Sequence, residues 1–290
     1  MNPAFSQHLL AGAQAGQGYR LILPDEALRG RSGERLGQGA GSSLDFKDYR
    51  DYQPGDDLRM IDWGVYARSD KLTLKMFREE VSPHLDLVID GSKSMNLPDT
   101  PKAEATLGLS ALLATAARNA QCTCTAWMQE EGFVRVPHGN DHPAVWDGLA
   151  LDRAESPALA FNTMRPAWRS RGVRVFVSDL LFEADPIHLV RHFARDAASV
   201  IIIQLLAAQD ANPPERGNLK LVDVESNTHL ELHLDAGLQA RYLKALATHQ
   251  DAWRGACQEV NAQFHILIAE DITADWTLPT LEASELLAPV

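Results

Sequence analysis

Residues 84–95 read HLDLVIDGSKSM, and that stretch decides the fold. The apolar run Leu87, Val88, Ile89 marks a strand, and it stops abruptly in Asp90, Ser92 and Ser94. Two later runs repeat the pattern: GVRVFVSDL at 172–180, which ends in Ser178-Asp179, and SVIIIQLLA at 199–207. Near-continuous apolar strands are those buried on both faces by helices. Helix signals fall between them. Thr100-Pro101 opens a helix to about Ala120, with Thr100 as N-cap and Pro101 in the first helical position. Ser156-Pro157 starts another toward Ser170, Asp185-Pro186 a third, and a long helix runs from about Ala236 to Val260 before a last strand, FHILIA at 264–269. CTCTAWMQ (122–129) with FVRVPH (133–138), and LKLVDVESNTHLELHL (219–234), read as hairpins. Strands alternating with helices at this spacing predict an α/β fold, a doubly wound and mostly parallel sheet flanked by helices.

The chain before this rhythm has a different character. GRSGERLGQGAGSS (Gly30 to Ser43) is a Gly/Ser-rich loop. Pro54-Gly55 is a turn, since proline presets φ and glycine accepts a positive one, and KLTLKMF (71–77) alternates as a half-buried strand does. The reading divides the chain into a flexible segment 1–43, a β-rich N-terminal extension 44–82, and the α/β domain 83–290.

Composition narrows the function classes. A formal net charge of -12 disfavours nucleic acid, which needs a basic face to neutralise phosphates, and anionic lipid surfaces likewise. The longest apolar stretch, from Val200, is broken by Gln204 and too short to span a bilayer, and the N-terminus lacks the flanks of a signal peptide. Three cysteines make no disulfide framework in a chain of this length, so a cytoplasmic protein is expected. Cys122 and Cys124 share one strand face and read as small buried thiols.

The chemistry is expected at the strand ends, because open α/β sheets bind ligands in the crevice outside the carboxyl ends of their strands. Alternation brings Asp90, Ser92 and Ser94 to one point, with Ser178-Asp179 ending a second strand at the same edge. Hydroxyls and carboxylates without sulfur or imidazole form an all-oxygen set, which suits a hard cation such as Mg²⁺. A plain turn cap is the alternative use of Asp90 and Ser92.

D-x-S-x-S after a buried strand, with a later strand ending in Ser-Asp, resembles the metal-ion-dependent adhesion site of von Willebrand factor type A domains. DYRDYQPGDDLRMIDWGVYAR (48–68) gives a narrower resemblance, to the bacterial family called domain of unknown function 58. Arg50, Tyr52, Pro54, Gly55, Asp56, Asp57, Arg59, Ile61, Asp62, Trp63, Ala67 and Arg68 fit its motif, and LVDVES and RYLKALATH further on also look like family features. The resemblance implies that Ser92 and Ser94 ligate Mg²⁺ (or Mn²⁺ or Ca²⁺) directly, with Asp90 and Asp179 as direct or water-mediated ligands. The fifth ligand of such sites is a Thr; here Ser156, in AESPAL, stands near that place, and Thr163 lies deeper in the helix. It further implies a non-enzymatic interaction module whose partner supplies an Asp or Glu to the cation, and a MoxR-type AAA+ ATPase as companion in protein assembly or activation.

The alternative is a Mg²⁺-dependent phosphoesterase or phosphotransferase using Asp90. No second carboxylate follows it by two residues, and Lys93 stands on the opposite side of the turn from the serines. Asp56, Asp57 and Asp62 are candidates for a second interaction site, although turn chemistry and ion pairs with Arg59 and Arg68 account for them without a ligand. His188 and His192 lie one helical turn apart, and His229 and His233 lie on one strand face; solvated surfaces explain both pairs. No glycine-rich phosphate loop of the ATPase kind and no nucleophile elbow occur in the sequence.

Overall fold

A computed structural model describes residues 3–24, 27, 44–79, 83–163, 166–213, 217–222 and 229–290. The loop expected at Gly30 to Ser43 and the turn of the 219–234 hairpin at 223–228 lie outside these residues. The chain forms two compact units, residues 25–82 and a larger one made of 1–24 with 83–290.

In chain order the elements are α1 (Pro3–Gly16), β1 (Tyr19–Leu21), β2 (Leu44–Asp51), α2 (Trp63–Ser69), β3 (Thr73–Glu79), β4 (His84–Ile89), α3 (Lys102–Asn119), β5 (Thr123–Gln129) and β6 (Phe133–Arg135). They continue with α4 (Pro157–Thr163), β7 (Val173–Ser178), α5 (Pro186–Ala194), β8 (Ser199–Leu206), α6 (Ala208–Ala211), β9 (Gly217–Val222), β10 (His229–Leu234) and α7 (Ala236–Glu259). β11 (Gln263–Ile268), α8 (Ala269–Asp275), α9 (Pro279–Ala283) and β12 (Leu287–Pro289) complete the chain. Among the described residues no helix is long and apolar enough to cross a membrane.

The larger unit is built on a six-stranded sheet in the order β11-β8-β7-β4-β5-β6, parallel except for the edge hairpin β5–β6. β4, the first strand of this unit to enter the sheet, sits in the middle, so successive strands wind outward in both directions. The direction of winding reverses between β4 and β7, and such a switch opens a crevice at the carboxyl ends of those two strands. Every residue of β4 and β7 is buried, His84, Asp86, Arg174 and Ser178 among them, as expected of strands covered on both faces. Val88, Trp127, Phe176 and Ile202 meet Phe161, Phe193 and Trp253 in one core on one face of the sheet. The alternate residues, among them Leu87, Ala126 and Val175, point to the other face, and α3 packs along β4 and β5. α4 stops at Thr163 rather than reaching Ser170, consistent with Pro166, whose ring disfavours helical backbone at the residue before it.

Residues 3–24 depart from the flexible segment expected for 1–43. α1 buries Phe5, Leu9 and Ala13 and lies against α3, while β1 pairs antiparallel with β12. A Cβ at Gly12 would stand 1.9 Å from the carbonyl oxygen of Gly108, and one at Gly108 would stand 1.9 Å from the Trp276 ring. Gly12 thus lets α1 reach the backbone of α3 and Gly108 makes room for the Trp276 ring, and a glycine in the middle of an Ala-rich helix carries no signal of that use.

The smaller unit contains the antiparallel pair β2–β3, with a register shift between Phe46 and Asp48, and the short helix α2. Gly55 takes φ +107 in the Pro54-Gly55 turn, a backbone state that an L side chain rarely adopts.

Candidate functional site at the strand ends

β4 and β7 are neighbours in register, with Ile89 opposite Val177, and their ends place Asp90 beside Ser178 and Asp179. The Asp90 amide donates to the Val177 carbonyl (3.0 Å), which extends the pairing one residue beyond the strand. The chain then turns. Ser92 N–H donates to Asp90 Oδ1 (2.8 Å), and Ser178 Oγ donates to Asp90 Oδ2 (2.5 Å), so both carboxylate oxygens are held. The turn brings Ser92 Oγ and Ser94 Oγ to 2.9 Å. Asp90, Ser92 and Asp179 are almost wholly buried.

Burial, and next the charge of Asp179, push the Asp90 carboxyl up to about 7. Asp90, Ser92 and Ser94 are thus tied together in one turn, and Asp179, next to Ser178 on the adjacent strand, lies near enough for its charge to act on Asp90. Ser156 does not join them by any hydrogen bond. Its Oγ instead accepts from the Ala158 amide (3.2 Å), capping α4, and Thr163 Oγ1 turns back to the Leu159 carbonyl (3.1 Å). The loop before Ser156 is nonetheless tied to the site. Arg153 pairs with the turn through Lys93 N–H to its carbonyl (2.9 Å) and its own N–H to the Gly91 carbonyl (3.0 Å). Buried Gln129 donates to the Glu155 carbonyl (2.6 Å) and accepts from Gly91 N–H (3.3 Å).

Sequence reasoning missed two members. Lys102, the first residue of α3, is wholly buried, and its Nζ lies 2.8 Å from Asp179 Oδ2 and 3.4 Å from Asp210 Oδ2. The second Asp179 oxygen accepts from Leu181 N–H (3.0 Å). One signal was available for Lys102. A lysine in the first turn of a helix opposes the helix dipole, whose N-terminal end is positive, and so needs a local anion to hold it there.

The donor set fits a hard cation. The two serine hydroxyls are hydrogen bonded to each other at 2.9 Å, and cis ligands of an octahedron with 2.0–2.1 Å bonds stand about as far apart. The buried Asp90 behind them supplies negative charge, and the set contains no soft ligand. Ser92 and Ser94 would hold such an ion, and Asp90 and Asp179 would orient and neutralise its shell.

The other candidates have partners of their own. Asp56 accepts from Arg50 Nη2 and Gln53 N–H (both 2.8 Å), and Asp57 grips Arg59 through its backbone and guanidinium. Asp62 caps α2 through Gly64 N–H (2.9 Å) and Val65 N–H (3.2 Å) and accepts from the Tyr49 hydroxyl (3.1 Å). These three aspartates build the turn and helix start of the smaller unit. The His188 and His192 rings stand 5.1 Å apart on α5, and His229 and His233 lie on β10. Among the described residues no three His, Cys, Asp or Glu side chains are grouped to hold a metal. A cavity of about 360 Å³ lies at the opposite end of the sheet, lined by His84, Arg118, Cys122, Cys124, Asn140 and Arg169. Burial pushes the Cys122 thiol up to about 12 and raises Cys124 as well, so both stay protonated and unreactive near neutral pH.

Comparison with known proteins assigns the chain to a family. The uncharacterized protein Rv1480 of Mycobacterium tuberculosis is 27% identical over 232 residues, spanning 75% of this chain and 72% of that protein. The uncharacterized protein MAV169 of Mycobacterium avium is 34% identical over 95 residues, 32% of this chain and 54% of that one. Among solved structures, BatB from Bacteroides thetaiotaomicron aligns with 67% of this chain and 97% of its own at 10% identity and a TM-score of 0.34. An aerotolerance-related membrane protein from Bacteroides fragilis aligns with 62% and 99% at 10% identity and a TM-score of 0.30. Likeness at that level bears on neither fold nor function. The family described as Protein of unknown function DUF58 matches residues 48–252, most of the length, and this chain belongs to it.

Proposed function

We propose that this protein is a von Willebrand A-like interaction module that engages partner proteins through a Mg²⁺-dependent adhesion site at Asp90, Ser92, Ser94 and Asp179. The observation that carries the reading is that two serine hydroxyls, hydrogen bonded to each other at 2.9 Å, stand in the turn held by the buried Asp90, at the point where the sheet changes winding direction. The strand order, with one antiparallel edge hairpin on a parallel sheet, supports the same fold. The bound cation supplies a Lewis acid that a carboxylate of the partner can complete. Ser156 accepts from the Ala158 amide and makes no hydrogen bond to the other site residues, so the reading rests on the hydroxyls of Ser92 and Ser94.

A phosphoesterase using Asp90 as nucleophile has less support. Both oxygens of Asp90 are hydrogen bonded, the side chain is buried, and the buried Lys102 ammonium is engaged by Asp179 and Asp210. We place the module in the cytoplasm, alongside a MoxR-type AAA+ ATPase that would use it to reach clients in assembly or activation. The test is capture of partners from the native host by the immobilised protein. Mg²⁺ is expected to retain a defined set of proteins that EDTA releases and that a Ser92→Ala, Ser94→Ala double variant fails to bind. A set of partners unchanged by EDTA and by the double variant would refute the reading.

A further inference from the structure

The strand-end site already contains a cation of the protein's own. Lys102 is wholly buried at the start of α3, and its ammonium contacts carboxylates from two other elements, Asp179 after β7 and Asp210 in α6. A lysine is retained in such a place only if its charge is met, and here two carboxylates meet it. Its position matters for the ion proposed above. The oxygen of Asp179 that faces Lys102 is taken, and the other accepts from Leu181 N–H. Each Asp179 oxygen thus already accepts one hydrogen bond, and an incoming divalent ion would have to share the carboxylate's charge with the ammonium beside it. The Leu181 bond is part of the turn that follows β7, whereas the ammonium is a single side chain with a second carboxylate to hold it. Of the two, the ammonium contact is the one that can yield.

Resting on the proposed cation site, we propose that Lys102 is a resident competitor: its ammonium neutralises Asp179 in the metal-free protein and must give up that carboxylate, keeping Asp210, when a divalent cation binds. Two consequences follow. The metal-free site is electrostatically satisfied on its Asp179 side, so the fold does not depend on the ion. Cation affinity is held down by the exchange, which makes occupancy sensitive to anything that adds a further ligand, such as a partner's carboxylate. Asp210 is joined to α7 through its carbonyl, which accepts from the Tyr242 hydroxyl (2.6 Å), so the residue that retains Lys102 is itself anchored.

The test is titration of Mn²⁺ into wild type, Lys102→Gln and Lys102→Met, followed by calorimetry, with thermal melts of each protein in EDTA and in Mn²⁺. Gln keeps a donor for Asp179, so it remains informative where the Met variant fails to fold. Lys93→Gln, which removes the same charge beside Ser92, serves as the control for charge alone. Removal of Lys102 is expected to tighten Mn²⁺ binding at least tenfold, to lower the melting temperature in EDTA, and to let Mn²⁺ restore it. Lys93→Gln is expected to tighten binding less than threefold. Wild type that binds Mn²⁺ and Lys102 variants that bind it no better, or no better than Lys93→Gln, would overturn the competitor role and leave the adhesion site standing. Absence of Mn²⁺ binding by every one of these proteins would overturn both.

Discussion

Asp90→Asn is expected to abolish divalent-cation binding while making the metal-free protein more stable near pH 8. The two effects share one cause. Asp90 is buried against Asp179, and its carboxyl is pushed up to about 7, so above that pH the fold carries a buried negative charge that it disfavours. The sign follows from proton counting. Between the ordinary carboxylate value near 4 and about 7 the folded chain holds a proton that the unfolded chain has released, so stability falls as pH rises through this window. Asparagine keeps the local bonds: its carbonyl can accept from Ser92 N–H, and its amide can donate to Ser178 Oγ. Urea melts in EDTA at pH 5 and pH 8 are expected to show the wild type losing stability between them and the variant losing little. A wild type equally stable at both, or a variant less stable at pH 8, would contradict the electrostatic account. Cation affinity is expected to fall by about 100-fold or more, since the charge behind the two hydroxyls is gone. Stability is exchanged here for function, as is common where a site gathers like charges.

Gly12→Leu is expected to detach α1 and cost about 3 kcal/mol, at the upper end of overpacking effects. The first atom of the new side chain would meet the Gly108 carbonyl oxygen at 1.9 Å, and that oxygen belongs to the backbone of α3 and cannot swing aside. Helix α1 must therefore lift, exposing the apolar residues it buries, Phe5, Leu9 and Ala13. Loss of amide-exchange protection confined to α1 and β1, with Mn²⁺ binding retained, is the expected pattern, because the proposed cation site lies at the ends of β4 and β7 and in the turns that follow them. Unchanged protection in α1 would show that the contact is looser than the distances imply.

The central sheet was legible in the sequence because buried parallel strands are written as continuous apolar runs, and HLDLVID, GVRVFVSD and SVIIIQLL have little else they can be. The hydroxyl pair was legible for the same reason: polar residues at the end of such a run must face the crevice. Lys102 was not, because its partners lie 77 and 108 residues away and only the winding of the sheet brings them together. Helix α1 escaped notice because its close packing depends on glycines, whose value lies in what they omit. Ser156 shows a third kind of limit. Proximity along the chain to an expected ligand position says nothing of where a hydroxyl points, and here it points to the amide two residues on.

The central claim is that two serine hydroxyls at the switch of the sheet hold a hard cation. Anomalous diffraction from crystals of the protein soaked in Mn²⁺ tests it most directly. A peak is expected within bonding distance of both Ser92 Oγ and Ser94 Oγ, absent from crystals of Asp90→Asn. Density showing the two hydroxyls still hydrogen bonded to each other at saturating Mn²⁺, with no anomalous peak between them, would contradict it.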